Sequence, residues 1–116
     1  MQRDLLLNIQ RKVLGGYINA EEFSINGSGK EILSTMLDES LFDDFMHRAV
    51  ARACIKLKNN NIPVSDFTVL DFLNKHNIPK GSYQESEYIT LMSEYAITPA
   101  TFNHYISMII QHKMEN

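Results

Sequence analysis

Tryptophan is absent from this 116-residue chain, and cysteine occurs once, as Cys54. One thiol excludes a disulfide framework within the chain. Cys54 falls on an apolar helical face, where cysteine behaves as a small hydrophobe, so a buried, inert thiol is expected. The purely apolar runs are far too short to span a membrane. Arg3 and Asp4 lead only into the brief Leu5-Leu6-Leu7 run, which does not read as a signal peptide. The cytoplasm is therefore the expected compartment. There is no excess of positive charge either: the net charge of −3 gives no general attraction to nucleic acid. Internal repeats, low-complexity stretches and domain boundaries are also missing.

The chain does hold enough apolar material to fold, at 44% hydrophobic and 22% charged residues. One domain over residues 1–116 is expected. No segment alternates at period two, whereas helical spacing recurs throughout. Six short helices follow, packed as an all-α bundle. The first covers about residues 4–18, with Leu6, Ile9, Val13 and Tyr17 on one side. Gly15 and Gly16 near its end cost helix propensity. They fit either a helix crossing closely there or a frayed helix end. Ser28 and Glu31 form a capping box that opens a short second helix. The third is the clearest, with Met46, Ala49, Val50, Ala53, Cys54 and Leu57 on a single face. It stops at Asn59-Asn60-Asn61, residues that favour turns. Ser65 or Asp66 caps a fourth helix to about His76, with Phe67, Leu70 and Leu73 inward. Ser82 and Glu85 box a fifth, running through Tyr88, Leu91, Met92 and Tyr95. The sixth starts at Thr98 as N-cap and Pro99 at the first helical position, and runs to about Lys113. The expected core includes Val13, Leu14, Val50, Cys54, Leu57, Leu70, Leu91, Tyr105 and Ile109.

Catalytic and cofactor chemistry finds little support in the residues. Gly27-Ser28-Gly29-Lys30 looks like half a phosphate-binding loop. However, Ser24 stands where the leading glycine belongs, and Glu31 replaces the hydroxyl that would hold magnesium. Of the four histidines, only His104 and His112 share a helix, and two turns separate them, so no zinc site is expected. No nucleophile has an identifiable base. No catalytic residue, cofactor or metal is assigned. Arg48, Arg52 and Lys56 form a basic stripe at i, i+4, i+8, with Asp44 one turn before Arg48 and able to pair with it. Such a stripe fits a solvated face, or a contact with an acidic partner or a phosphate backbone.

Several landmarks resemble the N-terminal domain of the DnaB-type replicative DNA helicases. Val13-Leu14-Gly15-Gly16 lies where that family has Val-Leu-Gly. Phe42 to Met46 and then His47-Arg48 match the stretch leading into a helix that starts near His-Arg. Pro63 lies in the matching loop, followed by Thr68-Val69-Leu70. Thr98-Pro99 fits the closing signature, with Asn103 one place late and Tyr105 and Ile106 after it. The likeness runs from about Leu7 to Lys113. Departures are Gln10-Arg11-Lys12 in place of a glutamate before Val-Leu-Gly, and Gly81-Ser82 in place of Gly-Gly.

The resemblance implies a non-catalytic domain, six copies of which form a collar, arranged as dimers, beside the ATPase ring of the helicase. It also implies a docking surface for primase or a helicase loader. On that reading the chain is a fragment or a separately encoded relative, lacking the helical hairpin that mediates pairing. Self-association should then stop at monomer or dimer. Direct DNA binding is expected to be absent or weak. The sixth helix is apolar over more of its circumference than one buried stripe needs, which points to Met108 and Ile110 as partner-binding residues. Two other readings stay open: the helicase-binding domain at the C-terminus of primase, and a small nucleic-acid-binding module using Arg48, Arg52 and Lys56.

Overall fold

Helix α1 (Arg3–Asn19) is the element around which the others assemble, packing against three of the four remaining helices. A computed structural model describes residues 2–20, 37–76, 85–93 and 97–115. Within them, a 3-10 turn (Glu39–Leu41) leads into α2 (Phe45–Asn59), followed by α3 (Asp66–Lys75), α4 (Glu85–Ser93) and α5 (Pro99–Met114). No strand occurs among the described residues. The fold is all-α, as the periodicity indicates. The short helix expected after Ser28, its capping box and the box at Ser82 lie outside the described residues, as do Gly81 and Tyr95.

The buried stripe of α1 is Leu6, Ile9, Val13, Leu14, Tyr17 and Ile18. The helix runs three residues past Gly16, so the glycines do not mark a frayed end. Gly15 and Gly16 are both buried. A Cβ at Gly16 would lie 2.5 Å from Ile97 Cγ1, closer than real contacts come. The glycine therefore admits a close neighbour, but that neighbour is the residue two places before α5 rather than a crossing helix. The Asn19 side chain closes this end by donating to the Met92 carbonyl at 3.0 Å.

Four of the described helix boundaries have a clear local cause. Asp44 caps α2, accepting from Met46 N–H at 3.0 Å and His47 N–H at 3.2 Å. At the other end Asn61 adopts a left-handed φ of 58°. Its N–H bonds to Lys58 C=O and that of Ile62 to Leu57 C=O, the two bonds of a Schellman ending. Asparagine tolerates this conformation better than most residues with a side chain. Ser65, not Asp66, caps α3, in a reciprocal box with Thr68. Thr98 caps α5 by accepting from Thr101 N–H at 3.1 Å, and Pro99 takes the first turn.

The core holds Val13, Leu14, Val50, Cys54, Leu57, Leu91 and Ile109 as expected. Three expectations need correction. Phe67 is 79% exposed rather than inward. At 100° per residue it stands about 160° from Val69, which with Leu73 forms the buried line of α3. Leu70 and Tyr105 flank their buried stripes and are only partly covered.

Candidate docking surface

Helix α5 buries Phe102, Ile106 and Ile109, one stripe at i, i+4 and i+7. One flank of its exposed side turns apolar only over the last two turns. There Ile110 is 42% exposed and Met114 81% exposed. With Ser107, Gln111 and Glu115 they line an open cleft of about 470 Å³. A second cleft of about 220 Å³, lined by Met108, Gln111, His112 and Glu115, adjoins it across the Gln111–Glu115 row. Met108 is half-buried against the core, so it is a wall of this surface and not a free projection. Ile110 is the freer of the two residues expected here. Lys113 ties the end of the helix down through Asp43, at 3.4 Å. Met114 was not singled out from the sequence, although it stands one turn after Ile110 on the same side.

The basic stripe is a second exposed face. Arg48, Arg52 and Lys56 all point to solvent on α2, but two of them are engaged locally. Arg48 donates from Nε to the Phe42 carbonyl at 3.2 Å. Arg52 grips the Glu39 carboxylate with two hydrogen bonds, at 3.0 and 3.3 Å. These bonds hold the Glu39 carboxyl below the usual carboxylate range and push the Arg52 guanidinium up. Glu39 lies 13 positions before Arg52, so no helical spacing could have linked them. Phe45, one turn before Arg48, is 47% exposed and extends the stripe with an aromatic ring.

The family-matched residues are mostly structural. Val13 and Leu14 are fully buried, Pro63 and Thr98 lie at the surface, Pro99 is half-buried and Tyr105 packs partly against the core. His47 is the unusual one. It is 1% exposed and its Nδ1 lies 2.9 Å from Gln10 Oε1, which is also buried. An amide oxygen only accepts, so the neutral ring carries its proton on Nδ1. Its Nε2 meets no partner among the described residues. Burial pushes the ring's pKa down to about 4, against the opposing pull of the Asp44 charge, and the Arg11 charge adds to the depression. The sequence shows Gln10 on the α1 face beside Ile9, yet nothing local pairs it with His47.

No group of His, Cys, Asp or Glu suited to a metal ion occurs among the described residues. No helix among them is long and apolar enough to cross a membrane. The exposed faces present apolar side chains at one end of α5 and charges along α2.

No curated protein and no solved structure matches the chain. The family model described as the DnaB-like helicase N-terminal domain matches residues 7–111, nearly its whole length. That model covers the N-terminal domain and not the catalytic ATPase domain of such helicases. The chain belongs to the DnaB-like helicase N-terminal domain family.

Proposed function

We propose that this domain is a non-catalytic docking module of a replicative DNA helicase, working in the cytoplasm during DNA replication. It associates with copies of itself toward the helicase collar, and it receives a primase or a helicase loader. The observation that carries this reading is the solvent-facing apolar end of α5, where Ile110 and Met114 flank an open cleft on a helix that already has a complete buried stripe. Isolated surface hydrophobes are ordinary, but two in one cleft suit a partner's helix. Membership of the family supports the choice of partners. Nucleotide hydrolysis is assigned to the motor domain of the helicase and not to this one, and DNA contacts are weak or absent.

Sedimentation velocity over a concentration series tests the self-docking part. A concentration-dependent monomer–dimer shift is expected, and Ile110→Asp should abolish it while leaving the helical circular dichroism intact. An unchanged shift in that variant would remove this face from self-association.

A further inference from the structure

We propose that the exposed side of α2, from Phe45 through Arg48 and Arg52 to Lys56, is a recognition strip for an acidic helical segment of a partner protein. The proposal rests on the docking reading above but uses a different face. The four residues follow i, i+3, i+7 and i+11, so they line one side of the helix over about 16 Å. The strip changes character along its length. Phe45 offers an apolar ring at the start, and three cations follow at one-turn intervals.

The spare donors define what fits. Arg48 uses only Nε on the Phe42 carbonyl, which leaves its two terminal nitrogens for a ligand. Lys56 is exposed, and no ion partner is found for it among the described residues. Arg52 already holds the chain's own Glu39 in a two-bond grip, with both side chains solvent-accessible. That grip shows the geometry in which this face takes a carboxylate, and Glu39 acts as a resident competitor. Glutamates four residues apart on a partner helix repeat about every 6 Å, which matches the cations.

Charge complementarity favours a protein over a nucleic acid. Asp43 and Asp44 lie beside Phe45 at one end of the strip, and the chain as a whole is acidic. A strand of phosphates carries uniform charge and would meet those carboxylates. A peptide helix can place an apolar side chain over Phe45 and keep its carboxylates over Arg48, Arg52 and Lys56.

Fluorescence anisotropy with a labelled helical peptide tests this, the probe having glutamate at every fourth position and a leucine at one end of that row. A glutamine version of the peptide and labelled single-stranded oligothymidylate serve as comparisons. The glutamate peptide should bind at low salt and the other two far more weakly. Lys56→Glu, which disturbs no internal pair, should weaken peptide binding about tenfold or more. Phe45→Ala should weaken it too, and Glu39→Gln should tighten it by releasing Arg52. Equal binding of the glutamine peptide, or no effect of Lys56→Glu, would overturn the proposal. Preferred, steeply salt-dependent binding of oligothymidylate would overturn it in favour of a nucleic-acid face. Because the probe is synthetic, these outcomes are independent of whether primase or self-association uses the end of α5.

Discussion

A methyl group added at Gly16 would sit 2.5 Å from Ile97 Cγ1 and 2.8 Å from its Cδ1. Alanine favours a helix interior over glycine by about 1 kcal/mol, but forcing a stiff β-branched neighbour to move costs about 1–3 kcal/mol. Gly16→Ala should therefore lower stability in urea melts by about 1 kcal/mol. In an Ile97→Ala background the same change should stabilise, because only the propensity gain remains. Destabilisation of equal size in both backgrounds would mean that Ile97 is not the obstacle. His47 gives a pH signature. Its folded pKa, about 4, lies below the ordinary value of 6.5. Between those values the unfolded chain takes up a proton that the folded chain refuses. Stability is then full above about pH 6.5 and falls as the pH drops toward 4, by about 3 kcal/mol in all. Melts of His47→Gln should lack this slope, and an unchanged slope would place the acid sensitivity elsewhere. The two glycines were noticeable in the sequence, but its two explanations, a crossing helix and a frayed end, both missed the actual neighbour of Gly16, which is Ile97. The Gln10–His47 pair was not legible, because 37 positions separate the partners and neither residue type demands burial.

At the scale of elements, local chemistry carried most of the boundaries into the structure. Thr98-Pro99, Ser65 and the asparagine run act where they stand, through backbone bonds within a few residues. Facing is harder to read on a helix as short as α3, with 10 residues. There the line through Phe67, Leu70 and Leu73 and the line through Val69 and Leu73 both look apolar, and only packing against α2 and α4 selects between them. The choice has a measurable consequence. Leu73→Ala should cost about 2–5 kcal/mol and Phe67→Ala less than about 0.5 kcal/mol. Similar losses from both would rotate α3 away from the orientation described. The Arg52–Glu39 pair shows the other limit. It joins two elements through an exposed contact that water screens, and 13 positions of sequence separate its partners, so no local pattern announces it.

For the whole molecule, the all-α architecture follows from six helical patterns with short connections, five of which are seen as helices among the described residues. The exposed apolar end of α5 was legible only in part. An over-apolar sixth helix pointed to Ile110 and Met108, yet Met108 packs half into the core, and Met114 supplies the larger exposed surface. Period alone cannot separate apolar residues that meet the body of the domain from those left over, because that depends on how the neighbouring helices cross. On the proposed function, the domain docks a replication partner through the end of α5. Calorimetric titration of the cognate primase into the domain, in parallel with Ile110→Asp and Met114→Asp, tests it most directly. Saturable binding by the natural sequence is expected, with at least about tenfold weaker binding by both still-folded variants, equivalent to about 1.4 kcal/mol each. Equal affinity in all three proteins, or no primase binding by any of them, would contradict it.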